Sequence, residues 1–260
     1  MDLGLKEKVA LVTGASKGIG FATSLQLAKE GAKLAMVARN EESLAVAAEE
    51  IFQETGVRVL QITGDMSLEE NCKQVVLKTV DHFGRLDILV NNAGTHAGHP
   101  FEKVDNAMWK YDLDLKLFGA IHCSRNAVPF MRKNGGGAIV NVTAAIAKTP
   151  PASSLPTTVS RAAGMALTKA MSKDLGHDNI RVNTVCIGLI KSDQIEKYWQ
   201  KTAPHQSFEQ YVHDPKHQIP LGRIGEAEEA AKVITFLVSD SASYITGTSL
   251  NIDGGMAGTL

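Results

Sequence analysis

Residues 9–20 of the chain read VALVTGASKGIG, an apolar run that passes directly into a turn with three glycines. Residues 9–12 are uniformly hydrophobic, which is typical of a strand buried on both faces of a parallel sheet. Residues 21–30, which follow the turn, are amphipathic and predict a helix. This strand–turn–helix unit suits a phosphate, because glycines admit a ligand close to the backbone and the helix N-terminus presents unpaired N–H groups.

The alternation of strand and helix continues along the chain. Further strands are predicted at residues 33–37, 57–62, 88–90, 137–142, 180–185 and 249–252. Helices are predicted at residues 41–55, 68–83, 107–128, 157–175 and 226–238. Right-handed crossovers place such helices on both faces of a sheet, so the sequence predicts an α/β fold with a doubly wound parallel sheet of Rossmann type. Residues 1–260 contain no linker or repeat, and we expect a single domain.

The composition favours a small molecule as the partner. A net charge of −1 and a pI near 6.7 give no basis for binding nucleic acid or an anionic membrane. No apolar run is long enough to span a bilayer, and the first residues do not resemble a signal peptide, so we expect a cytoplasmic protein. Cys72, Cys123 and Cys186 are odd in number and far apart, which predicts buried thiols rather than disulfides or a metal site.

Several motifs give the chain a family resemblance. Residues 13–20 are similar to the TGxxxGIG turn of the short-chain dehydrogenase/reductase family, and residues 91–94 to its NNAG motif. Residues 245–247 and 253–255 are similar to its closing signature. The resemblance covers essentially the whole chain and implies an oxidoreductase with a nicotinamide cofactor and a substrate lid at about residues 190–220.

The resemblance also implies a set of cofactor-binding residues at the carboxyl ends of the strands, where ligands bind in such sheets. These residues are Gly14, Ser16, Lys17, Gly18, Ile19, Gly20, Arg39, Asp65, Met66, Asn91, Ala93, Gly94, Arg161, Gly188 and Ile190. Arg39 stands after the second strand where an NAD site would have a carboxylate, and Lys17 is a second cation in the turn. A 2′-phosphate requires cations, so we expect NADP, with NAD as the alternative should both side chains be ordinary surface charges.

The catalytic positions depart from the family pattern. By this resemblance, Ala144, Thr157, Arg161 and Lys116 stand where the family has its catalytic Ser, Tyr, Lys and Asn. An aliphatic hydroxyl is a far weaker acid than a phenol, and a guanidinium does not release its proton. Burial beside another cation would push Lys116 toward the neutral form, which suits a proton donor or base. The alternative is a structural ammonium paired with a carboxylate such as Asp112.

Other side chains near this edge of the sheet are candidates for the proton donor or base. His96 and His99 follow the NNAG motif, and imidazole titrates in the useful range, although for each histidine alone a solvated loop side chain is the favoured interpretation. Tyr198 and Tyr211 fall in the implied lid, where aromatic residues often only pack.

Three functions therefore stay open. The first is an NADP(H)-dependent oxidoreductase that acts on a small carbonyl or alcohol with a non-standard proton donor. The second is a non-redox enzyme, such as a lyase or hydrolase, in the same pocket, and the third is an inactive nucleotide-binding protein. Residues 220–255 resemble the part of the family that forms homodimers and homotetramers, so we expect a homotetramer or homodimer.

Overall fold

The computed structural model describes residues 2–259, and its centre is a parallel sheet of seven strands in the order β3-β2-β1-β4-β6-β8-β9. A separate antiparallel pair joins β5 to β7. The strands are β1 Val9–Thr13, β2 Lys33–Ala38, β3 Leu60–Thr63, β4 Ile88–Asn91, β5 Gly98–His99, β6 Gly137–Ala144, β7 Leu155–Pro156, β8 Ile180–Ile187 and β9 Ser249–Ile252. The predicted doubly wound α/β fold is confirmed.

The helices lie on both faces of this sheet. They are α1 Gly18–Lys29, α2 Glu41–Thr55, α3 Glu69–Phe83, α4 Asn106–Leu113, α5 Gly119–Lys133, α6 Thr157–Leu175, α7 Asp193–Thr202, α8 Phe208–Val212 and α9 Ala227–Val238. Successive residues of β1 show the two layers, because Leu11 and Val12 are both fully buried but belong to different core clusters. One cluster joins the sheet to α1, α2 and α9, and the other joins it to α3 and α5.

Two predicted elements differ from the structure. The strand expected at residues 57–62 begins only at Leu60. The pairing of β3 with β2 starts there, with Leu60 opposite Ala35. The helix expected at residues 107–128 is two helices joined by a π-helical turn, Asp114–Phe118, and it extends to Lys133. A π turn holds one residue more than an α turn, and such turns occur often at functional sites.

The segment at residues 190–220, which the family resemblance implies to be a lid, has a small hydrophobic core of its own, separate from the two sheet layers. Its buried members are Ala203, Tyr211, Val212 and Ile224, and Trp199 and Phe208 pack against them. Ser192 caps α7, and Ser207 forms a capping box at the start of α8. These contacts make residues 190–220 an ordered unit that the sequence pattern alone did not divide into helices.

Two other findings concern the chain as a whole. Among residues 2–259, no helix combines the length and hydrophobicity needed to cross a bilayer. The three cysteines are free and buried, as predicted.

Candidate active site

The turn between β1 and α1 is built by glycines that have no room for a side chain. Gly14 has a φ of 64°, and a Cβ added to it would lie 2.9 Å from the Ala93 Cα. A Cβ on Gly20 would lie 2.2 Å from the Gly14 carbonyl oxygen. The backbone therefore folds tightly enough to leave the first turn of α1 open to a ligand.

The loop after β4 is fastened to this turn by hydrogen bonds. The Thr13 hydroxyl accepts from the backbone N–H groups of Asn92 and Ala93, at 3.0 and 3.1 Å. The Asn92 amide in turn donates to the carbonyl oxygens of Thr13 and Gly14, both at 3.0 Å. Thr13 and Asn92 thus fix the turn after β1 and the loop after β4 relative to each other. Both segments are predicted to bind the cofactor.

The two predicted phosphate-binding cations are exposed and near the turn, but both have protein partners. Arg39 follows β2 and donates to the Tyr111 hydroxyl at 3.0 Å. The Lys17 ammonium lies 2.6 Å from the Asp193 carboxylate at the start of α7, so it joins the turn to the lid. Both side chains are more than half exposed, which makes this ion pair a weak one that a 2′-phosphate can displace.

Lys116 and Thr157 meet in the interior, although they lie on different helices. Lys116 belongs to the π-helical turn, and its ammonium donates to the Thr157 hydroxyl oxygen at 2.7 Å. Thr157 begins α6, and its backbone N–H donates to the Ala97 carbonyl, next to the short β5–β7 sheet. Within residues 2–259 the Thr157 hydroxyl hydrogen has no acceptor, and the residue is only 1% exposed.

The Lys116 ammonium is buried, with only 4% of its side chain exposed, and it also donates to the Asp112 carboxylate. Burial and the nearby Arg161 guanidinium lower the pKa of Lys116 to about 8, while Asp112 opposes them. The structure thus combines the two interpretations offered by the sequence. The ammonium is paired with Asp112, and its pKa of about 8 is also close to neutral pH.

Arg161 lies beside Lys116, one helical turn after Thr157. One of its nitrogens donates to the Val142 carbonyl at 3.1 Å, and burial lowers the pKa of the guanidinium. A Cβ on Gly94 would lie 3.3 Å from Arg161 Nη2 and 3.6 Å from Lys116 Cγ. A side chain at this position would therefore crowd the end of the Arg161 guanidinium by a few tenths of an ångström, whereas its distance from Lys116 is an ordinary contact.

The remaining predicted cofactor residues support the site in different ways. Asn91 donates its amide to Ser124 and Asn141 inside the sheet, and Asp65 accepts from Ser67 within its own loop. Met66 lines a small internal cavity of about 20 Å³ beside Lys116, which is room for one water molecule. Ile190 packs in the core, so its side chain is not available to a ligand.

A Cβ on Gly188 would lie 2.6 Å from the Asp253 Cα, so glycine is required there for the close contact of the β8 loop with residues 253–255. Ser16, Gly18 and Ile19 complete the turn, where a Cβ on Gly18 would meet no atom within 4 Å, although its φ is 53°. Ala144 ends β6 and contributes no polar group.

The alternative proton donors lie in less suitable places. Tyr211 is only 2% exposed in the core of the lid, and burial raises the pKa of its hydroxyl. Tyr198 is 58% exposed on the surface of α7. His96 is exposed in the loop after β4, and partial desolvation followed by the charge of Lys116 lowers the pKa of its ring; His99 lies in β5.

Comparisons with known proteins place the chain in a family. A family model described as enoyl-(acyl carrier protein) reductase matches residues 14–257. The 3-oxoacyl-[acyl-carrier-protein] reductase FabG of Thermotoga maritima is 36% identical over 255 residues, which are 97% of this chain and 98% of that protein. The chain belongs to the short-chain dehydrogenase/reductase family.

Two solved structures resemble this short-chain dehydrogenase/reductase over nearly its whole length. The L-sorbose reductase of Gluconobacter frateurii, in complex with NADPH and L-sorbose, has a TM-score of 0.94 and 35% identity, and the match covers 100% of both chains. A short-chain oxidoreductase of Pseudomonas aeruginosa PAO1, bound to NADPH, has a TM-score of 0.92 and 31% identity, with 98% and 100% covered. That oxidoreductase is described as containing an atypical catalytic centre.

Sequence reasoning did not single out two residues of the site in this dehydrogenase/reductase. The Ser160 hydroxyl donates to Asp112 at 2.5 Å, and Asn92 joins the two cofactor loops. Ser160 carries a weak signal, because it is a polar residue three positions after Thr157 on a helix that is otherwise packed. Its partner is 48 residues away, so only the packing of α4 against α6 reveals its role.

Proposed function

We propose that this chain reduces the carbonyl group of a small organic substrate with NADPH, and that Lys116 and Thr157 together supply the proton. The observation that carries the proposal is the 2.7 Å hydrogen bond from the Lys116 ammonium to the Thr157 hydroxyl. It places a group whose pKa is about 8 directly behind a hydroxyl whose own hydrogen has no protein acceptor in the described chain.

The residues present fit a dinucleotide. The positions of Gly14 and Gly20, which a Cβ would fill, leave the N-terminus of α1 free for the pyrophosphate. Asp65 follows β3 at the position that, by the family resemblance, contacts the adenine ring, and Arg161 has further N–H groups to donate to a ribose. The NADPH complexes of two similar proteins support NADP use by this chain.

Arg39 and Lys17 should select NADP over NAD. Substituting Arg39→Asp is expected to weaken NADPH binding by at least about 10- to 100-fold, the range for loss of a charge-assisted hydrogen bond to a phosphate, and to leave NADH binding unchanged or stronger, because a carboxylate there can accept from the ribose diol. Titration calorimetry with both nucleotides measures this. Arg58→Asp is the control, because Arg58 is an exposed arginine that stacks 4.6 Å over the Phe52 ring. Unchanged NADPH affinity in the Arg39 variant would rule out this role.

NADPH, when bound, would supply hydride to the carbonyl carbon of the substrate. The π electron pair of the C=O bond would pass to the oxygen, which would take the hydrogen of the Thr157 hydroxyl. Thr157 regains a proton from Lys116, which ends as a neutral amine and takes a proton from solvent before the next cycle. The nearby Arg161 guanidinium stabilises the developing negative charge.

Turnover is tested by mixing the protein and NADPH with a panel of ketones, aldehydes, diketones and quinones. NADPH oxidation with matching alcohol formation supports the proposal. Nucleotide binding without any turnover across the panel would favour the inactive binding protein, and substrate loss without NADPH oxidation would favour a non-redox enzyme.

We also infer a homotetramer in the cytoplasm. Within residues 220–255, Tyr244 is fully exposed, and Leu221 and Leu250 are 71% and 41% exposed, so this segment offers apolar surface to a second copy. Buried free thiols suit a reducing compartment. Light scattering that gave the mass of a monomer would contradict the oligomer.

A further inference from the structure

Four polar residues form a ring between two helical segments, in which three side-chain hydrogen bonds are completed by a close approach of the Ser160 hydroxyl to the Thr157 backbone carbonyl. Asp112 and Lys116 come from α4 and its π-helical turn, and Thr157 and Ser160 come from the first turn of α6. Lys116 donates to Asp112 and to Thr157; Ser160 donates to Asp112 at 2.5 Å, and its hydroxyl lies 3.1 Å from the Thr157 carbonyl oxygen. The ring fixes Lys116 and Thr157 in relation to each other.

The ring is buried, so the hydrogen bonds among its members matter for stability. Asp112 is 3% exposed, and Thr157 and Ser160 are 1% exposed. A carboxylate removed from water needs a partner for each oxygen, and here one oxygen accepts from Lys116 and the other from Ser160. Removing Lys116 would leave an uncompensated negative charge in the interior, and removing the Ser160 hydroxyl would leave one carboxylate oxygen without its hydrogen bond.

Asp112 is the only carboxylate of residues 2–259 that bonds to Lys116, and the other neighbours act against the ammonium. Arg161 faces it from α6, and the exposed His96 lies near it in the loop after β4. The Cys123 thiol of α5 lines the same cavity, and burial and Cys72 keep its pKa well above the ordinary value. Partial desolvation lowers the pKa of His96, so near pH 8 its ring is neutral, and Asp112 is the group that retains the proton on Lys116.

We propose that Asp112, held by Ser160, is a positioning residue that aims the Lys116 ammonium at the Thr157 hydroxyl and governs how readily that ammonium releases its proton. Ser160 moderates Asp112, because its hydrogen bond takes up part of the carboxylate charge that would otherwise act on Lys116. Asp112 therefore favours retention of the Lys116 proton, and Ser160 weakens that effect. The inference rests on the proposed role of Lys116 as the proton source.

The test is the titration of the Lys116 amine by NMR in nucleotide-free protein with ¹⁵N-labelled lysine, assigned with Lys116→Met. Asp112→Asn should move the Lys116 pKa down by about 1–3 units, as expected for loss of an adjacent opposite charge. Ser160→Ala should move it up by roughly half a unit, because the carboxylate then lacks its second hydrogen bond. The pH at which carbonyl reduction begins to fall should shift in the same two directions.

The control is Asp87→Asn. Asp87 is also a buried, ion-paired carboxylate, but it pairs with Arg85 at the amino end of β4, away from the site. That variant should lose stability and leave the Lys116 titration unchanged. A merely structural role for Asp112 would lower activity equally at every pH.

The outcomes separate the inference from the proposed function. Lys116 titrations that do not move, or that move the same way in both variants, overturn the inference. If Asp112→Asn fails to fold, Ser160→Ala decides alone by the sign of its shift. Opposite shifts, in a protein whose reduction rate does not follow the Lys116 titration, would support the inference and overturn Lys116 as the proton source.

Discussion

Replacing Lys116 by methionine should slow NADPH-dependent carbonyl reduction by about 10²- to 10⁴-fold, the usual contribution of a positioned general acid. The substitution keeps the apolar stem of the side chain and removes the proton that Thr157 would relay. Since the ammonium donates to Asp112 and Thr157 and to no part of the glycine turn, NADPH affinity should change little. Single-turnover rates and calorimetry measure the two quantities separately.

Two controls make this result decisive. Lys110→Met removes an exposed lysine of α4 that pairs with Asp114, and it should leave the rate unchanged. Lys116→Met leaves Asp112 buried without its partner, which can cost about 3–5 kcal/mol of stability, so a double variant with Asp112→Asn is prepared as well. A folded variant that binds NADPH and reduces at close to the normal rate would show that another group gives the proton.

The second large effect is expected from Gly20→Ala in the turn between β1 and α1. The added Cβ would lie 2.2 Å from the Gly14 carbonyl oxygen and 2.5 Å from the Asn92 amide nitrogen, so backbone must move. We expect a loss of about 1–3 kcal/mol in unfolding free energy, as for overpacked sites, and at least tenfold weaker NADPH binding because the α1 N-terminus is displaced.

Denaturant unfolding and calorimetry check both numbers. The matched control is Gly176→Ala, where φ is −60° and the Cβ would meet no atom within 4 Å. Normal NADPH affinity in the Gly20 variant would show that the pyrophosphate binds elsewhere.

Much of the fold could be predicted because it rests on local pattern. Short sequence patterns predict the strand β1, the glycine turn and the amphipathic helices α2 and α6. The carboxyl ends of the strands then follow from topology, which brings Arg39 and the NNAG loop to one edge. The pairing of Lys116 with Asp112 was foreseeable as well, since the two are four residues apart on a helix.

What could not be predicted depends on contacts between distant segments. The π-helical turn that carries Lys116 has no sequence signal, and Ser160 gains its role only because α6 packs against α4. The Lys17–Asp193 pair joins residues 176 positions apart. Tyr211 was a candidate proton donor because of its position in the implied lid, but its ring packs in the hydrophobic core of that segment.

The most direct test of the account is the pH dependence of hydride transfer by the unaltered protein. Lys116 has a pKa of about 8, below its ordinary value, and must be protonated to supply the proton. Single-turnover reduction with saturating NADPH should therefore be level below about pH 7 and fall about tenfold per unit well above pH 8, while oxidation of the product alcohol should rise over the same range. A reduction rate that stays level to about pH 10 would contradict the account, because an acid with the reference lysine or phenol pKa behaves that way.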